Sequence, residues 1–318
     1  MLEHDPIPWL EQQEGEDAVR ARFSLGMEND RDDEIRRSIV ERLTDSQLPD
    51  GSFDHSPMKT AGTLCLLGDL RLRSVGVVSE AAEFLFNVFQ SQPGYSRTIQ
   101  VQPGALAKPC DLGGFFGPYE ARNEPDALTY GAREMNFLRE YEPILGPKSP
   151  VRAQRRSSRD RVGAGSCYAW GLAPLCYIIE ALSCTGFHAD HRLEPALSVL
   201  LGAQRESGGW CRNLAGHAKC TLYSLRAIGS HPELRVSTHA ERALGFMHES
   251  WKQASLFPSL QAVARFDSTA AHVLLEKMIS EAARKQRKSG TFGRPCQIER
   301  VTAVLAAQQS LGTRRSND

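Results

Sequence analysis

Neither sign of charge is in surplus: the 318 residues hold 38 lysines and arginines against 38 aspartates and glutamates. A neutral balance supplies no global attraction to nucleic acid or to an anionic bilayer, so neither is expected as a partner. Long apolar runs are missing as well. The longest uncharged apolar stretch, Tyr168 to Ile179, is too short to span a membrane and contains Pro174. The opening Met1-Leu-Glu-His-Asp-Pro has neither the basic segment nor the apolar core of a signal peptide. Eight cysteines are too few for a disulfide scaffold of this length. In a reducing compartment they are expected as free thiols or metal ligands. The chain reads as soluble and cytoplasmic.

Strand signals are also lacking, since no segment alternates convincingly between apolar and polar residues. What recurs instead is a glycine turn bearing an aromatic residue. It appears as Pro49-Asp-Gly-Ser-Phe53, Leu112-Gly-Gly-Phe-Phe-Gly117, Ser207-Gly-Gly-Trp-Cys211 and Ser289-Gly-Thr-Phe-Gly293. An apolar segment of helical period follows each turn, over Thr60–Leu72, Ala127–Leu138, Lys219–Ile228 and Ile298–Leu311. Helical runs also precede two of them, at Arg192–Gln204 and Ser268–Lys285. Paired helices joined by glycine turns predict an all-α repeat architecture. A further unit, lacking such a turn, begins near Cys167. The expected organisation is a polar arm or first helix over 1–33, a repeat domain over 34–313 and a tail over 314–318. Lys148 to Arg161 carries six basic residues and one acid immediately before Cys167.

Two windows suggest chemistry. Gly165-Ser-Cys-Tyr-Ala-Trp-Gly-Leu172 brings a Cys-Tyr pair into an apolar run, and His217-Ala-Lys-Cys-Thr-Leu-Tyr-Ser-Leu225 follows the turn at Gly208. Cysteine and histidine are common zinc ligands, and zinc converts a thiol into a bound thiolate near neutral pH.

Both windows resemble the β subunits of protein prenyltransferases, members of the α/α toroid group that also includes class II terpene cyclases. In those subunits a motif of the form Asp-x-Cys-Tyr-x-x-Trp supplies two zinc ligands, and a later histidine ahead of a leucine pattern supplies the third. Cys167, Tyr168 and Trp170 match the first motif, and His217 with Leu222 and Leu225 matches the second. The family's aspartate falls on Gly165, which has no side chain to offer. The resemblance therefore implies a zinc set of Cys167, Cys211 and His217, with Cys220 and then Asp160 as alternatives to Cys211. Tyr168, Arg159, Arg161 and Arg212 are implied to meet a diphosphate, and Trp170, Trp210 and Tyr223 to line an isoprenoid pocket. Arg212 stands where some relatives recruit magnesium, so magnesium is possible but not required. An arginine of the family near Glu124 is missing, with Ala127 in its place.

The implied fold is an all-α toroid. The implied activity is zinc-dependent transfer of an isoprenoid from a prenyl diphosphate to a thiol acceptor, with Cys167, His217 and Tyr168 at its centre. The family's β subunits work with a helical-repeat α subunit, so a partner of that kind is implied too. Two other readings stand beside it. One is a terpene cyclase-like enzyme with Asp111 or Asp267 as the acid; the other is a non-catalytic toroid that binds lipid or protein. Asp30-Arg-Asp-Asp33 spells the acid motif of terpene cyclases, but among Glu28, Arg31, Glu34 and Arg36 it is expected to be a solvated helix start. His188 and His191 lie in a polar inter-helix segment and are not expected to bind a metal.

Overall fold

The computed structural model describes residues 2–54, 57–73, 75–91, 173–210, 214–293 and 297–315. Among them every regular element is helical, as the missing strand period predicts. In chain order the α-helices are α1 (Ile7–Glu11), α2 (Glu16–Leu25), α3 (Asp30–Ser46), α4 (Pro57–Asp69), α5 (Gly76–Ser91) and α6 (Ala173–Cys184). There follow α7 (Glu194–Gly202), α8 (Leu214–Ser230), α9 (Thr238–Ser250), α10 (Leu256–Val263), α11 (Thr269–Ala283) and α12 (Gln297–Arg315). Among the described residues no helix is long and apolar enough to cross a membrane.

Packing sorts the helices into two sets. The even-numbered ones form a cycle of neighbours: α2 packs on α4, α4 on α6, α6 on α8, α8 on α10, α10 on α12, and α12 returns to α2. The odd-numbered ones lie against them, α3 on α2, α5 on α4, α7 on α6, α9 on α8, and α11 on both α10 and α12. The sequence explains the division. From Leu175 to Leu182 every residue of α6 is buried, which suits a helix enclosed on several sides. In α3 only Asp32, Ile39 and Leu43 are buried, a single stripe toward the rest of the molecule.

Residues 1–33 contain α1, α2 and the start of α3. Their acidic composition conceals an apolar face, in which Val19, Phe23 and Leu25 of α2 join Leu10 in the core. At the other end α12 runs through Arg315, into the segment expected as a tail. The start of α3 departs from its expectation. Asn29 caps the helix in a reciprocal box with Asp32, and Asp30 and Asp33 are exposed as expected. Asp32 is not solvated. It is 1% exposed and takes two hydrogen bonds from Arg22, at 2.5 and 2.8 Å. Helical spacing turns this third residue toward α2, where Arg22 also donates to the carbonyls of Leu10 and Gln13.

Three of the four glycine turns are described, and they share one hydrogen-bonding scheme; the turn at 112–117 and the run 127–138 lie outside the described residues. In each, a backbone N–H reaches the carbonyl four residues on, from Leu48 to Ser52, Arg205 to Gly209 and Arg287 to Thr291. The glycine N–H closes the turn from inside, with φ of 81° at Gly51, 86° at Gly208 and 78° at Gly290. A glutamine four residues earlier locks each turn. Gln47 donates to the carbonyls of Gly51 and Val77, Gln204 to those of Gly208 and His239, and Gln286 to those of Gly290 and His4. The second carbonyl belongs to the start of a later outer helix for Gln47 and Gln204. For Gln286 it belongs to the N-terminal segment, so the last turn is tied to the beginning of the chain.

This gives a graded expectation. Gln204→Ala removes both of these bonds and the Oε1 contact to His239 Nδ1, and should cost about 1–3 kcal/mol in urea unfolding. Gln286→Ala should cost less, because its bonds are more exposed. Its signature should be faster amide exchange confined to residues 3–10, with the other helices unchanged.

Candidate functional site

Three successive inner helices, α4, α6 and α8, run parallel. Near the start of α6, Cys176 Sγ lies 3.7 Å from Ser224 Oγ on α8, and one turn later Glu180 meets Arg226. On the other side Tyr177 faces Gly62 of α4, and Cys184 faces Gly68. The N-terminal ends of α4, α6 and α8 therefore point the same way. His217 lies on the first turn of α8. Cys167, Tyr168, Trp170, Arg159, Asp160, Arg161, Cys211, Arg212, Gly165 and Asp111 lie outside the described residues.

Trp210, expected to line an isoprenoid pocket, is fully buried in the turn between α7 and α8. Its indole N–H donates to the Leu200 carbonyl at 2.8 Å, and its backbone N–H donates to Thr221 Oγ1 at 3.2 Å. That is an anchoring arrangement, in which the ring holds the turn onto the helices it joins. Tyr223 is buried on the side of α8 that also carries Cys220 and Ala227. Cys220, an alternative ligand, is 1% exposed and disulfide-bonded. A sulfur so engaged offers no thiolate to a metal, which corrects the expectation of free thiols or ligands at this position. His188 stacks edge-on against His231 at 5.9 Å, while His191 is largely exposed beside Asp190. No group of three or more metal-capable side chains occurs among the described residues.

A buried charge cluster that the sequence reading missed crosses from α6 to α8 and α10. Glu180 is 3% exposed, and Arg226 Nε and Nη2 each reach its carboxylate at 3.0 Å. Arg265, just beyond α10, donates to the same Glu180 oxygen at 2.7 Å and to the Arg226 carbonyl at 2.9 Å. Burial alone would raise the carboxyl's pKa, but the two guanidiniums outweigh it and hold the group below its ordinary value. Beyond it, Arg20 of α2 bonds Asp69 of α4 at 2.7 Å. The only advance signal for Glu180 is a single acid within an apolar run.

The cluster also bears on acid chemistry. A protonating carboxylic acid needs a buried site that favours its neutral form. The two described carboxylates with under a tenth exposure, Asp32 and Glu180, are both fixed by arginine. Asp267, a candidate acid, has an 89% exposed side chain 3.4 Å from His272. None of these three is placed as a protonating acid.

No family model matches the chain, and no curated protein does. A solved structure titled "Crystal structure of a protein from Actinoplanes" is similar at 14% identity and a TM-score of 0.48, over 93% of this chain and 89% of that one.

Proposed function

We propose that the cycle of inner helices is an α/α toroid and that the chain is a zinc-dependent, prenyltransferase-like enzyme acting at the N-terminal rim of α6 and α8. The parallel packing of these two helices carries the reading. It sends the His217 end of α8 the same way as the end of α6 that the Cys167 window precedes in sequence. The closed order of inner helices and the three equivalent turns support the toroid.

In this reading His217, Cys167 and Cys211 hold the metal. When bound, zinc supplies a thiolate near neutral pH. The chain's own residues do the rest. Arg159, Arg161 and Arg212 stabilise the charge that grows on departing diphosphate, with Tyr168 beside them. Trp170 and Tyr223 give the isoprenoid an apolar wall, and Trp210 acts through the turn it anchors. Arg212 makes magnesium dispensable. The substrates are a prenyl diphosphate and a thiol-bearing peptide or small molecule, and a helical-repeat partner like the family's α subunit is compatible. The arginine pairing of Asp32 and Glu180 and the exposure of Asp267 weigh against the terpene cyclase alternative.

Purified protein incubated with zinc, a radiolabelled prenyl diphosphate and a small thiol should yield labelled thioether. His217→Ala should lower that rate about 100-fold or more. Tight binding of the labelled diphosphate with turnover no faster than in buffer would instead establish the non-catalytic lipid-binding toroid.

A further inference from the structure

We propose that Cys65 and Cys184 form a redox-active dithiol, which a low-molecular-weight disulfide oxidises to an intramolecular disulfide tying α4 to α6. This inference is independent of the enzymatic reading. Both thiols are free, one on each of two inner helices that pack against each other. Cys65 is near enough to Cys184 for that thiol to be the first cause raising its pKa. The Cys184 sulfur lies 3.9 Å from the carbonyl of Leu64, the residue before Cys65, and 3.2 Å from that of Ala181. The approach depends on small residues: a Cβ at Gly68 would stand only 2.6 Å from the Cys184 sulfur. The Cys184 sulfur therefore sits against the turn of α4 that carries Cys65.

Exposure assigns the order of events. Cys65 is 6% exposed, whereas Cys184 is half-buried at the end of α6 and is the more exposed of the two. The neighbouring Cys184 and then burial raise the Cys65 pKa, so Cys65 is the slower nucleophile and attacks second, its proton passing to the thiolate it expels. Cys184, as thiolate, attacks one sulfur of the small disulfide and expels the first thiol, leaving a mixed disulfide. Cys65 then attacks the Cys184 sulfur, forms the Cys65–Cys184 bond and expels the second thiol. The protein loses two electrons and two protons, and the small disulfide gains both. Cys176 provides the internal contrast. It is equally buried, it contacts Ser224 rather than a thiol, and burial pushes its pKa up to about 12.

The test is peptide mapping of the full chain after incubation with oxidised glutathione, acid quenching and alkylation. The expected product is a Cys65–Cys184 cross-linked peptide, lighter than the two reduced peptides by two hydrogens and released by dithiothreitol, with Cys176 still reduced. The oxidised protein should melt at least about 5 °C higher, because the bond closes a long covalent loop. Cys65→Ser should arrest the reaction at glutathionylated Cys184. If wild-type Cys184 keeps its glutathione, or both cysteines alkylate fully after denaturation, the proposal fails. Should Cys65→Ser not fold, the wild-type map decides alone.

Discussion

Glu180→Ala should lower the unfolding free energy by about 3–5 kcal/mol, because it leaves two largely buried guanidiniums without their shared anion. The acid is 3% exposed and is reached by both arginines at 3.0 Å or less, so neither bond is easily replaced by water. The expected record is a fall in the urea midpoint with little change in slope. Replacing all three residues by apolar ones, Glu180→Leu with Arg226→Met and Arg265→Met, should cost much less than the single change, since no charge is then stranded. The pH dependence has a definite sign. The folded pKa of Glu180 lies below its unfolded value, about 4.3. Its contribution is therefore complete above that unfolded value and disappears as pH falls through the lower, folded one. Wild-type protein should lose stability below about pH 4, and Glu180→Gln should show a flatter profile there. An alanine variant as stable as wild type at pH 7 would show that the cluster does not hold α6, α8 and α10 together.

The second large effect is expected at Gly208. Its φ of 86° is strained for any residue with a side chain, and a Cβ there would lie 2.1 Å from the Arg242 carbonyl oxygen. The obstacle is backbone at the start of α9, which cannot rotate away. Gly208→Ala should therefore cost more than about 3 kcal/mol through displacement of the turn. Gly245 supplies the control within the same neighbouring helix. Nothing lies within 4 Å of the point where a methyl group on it would stand, so Gly245→Ala should be neutral or should stabilise by about 0.5–1 kcal/mol. Equal losses at the two sites would refute the close approach of turn to helix.

The glycine turns were legible in the sequence because positive φ leaves a residue-type signature, and the helices after them followed from a 3.6-residue period. The glutamines at 47, 204 and 286 stand at a constant distance before those glycines, so they too were there to be found. Glutamine carries no turn preference of its own, so only its spacing from the glycine marks it. The burial of α2 was hidden because acidic residues on its outward side dominate the composition of residues 1–33. Glu180 was visible only as a charge out of place. Its partners are 46 and 85 residues away, and no local pattern joins groups that far apart. Asp32 illustrates the same limit at short range. Its motif reads as solvated until folding brings Arg22 across from α2. Trp210 shows how one residue type serves two ends: an aromatic ring beside a glycine turn suits a pocket wall or an anchor equally well. Only the bond from its indole to Leu200 separates the two.

Zinc binding by His217 and Cys167, as proposed, is tested most directly by the metal content of purified protein. Protein purified without chelator should carry ~1 zinc per chain by mass spectrometry, and His217→Ala and Cys167→Ala should each remove most of it. Less than about a tenth of an equivalent, unchanged by either substitution, would contradict the account.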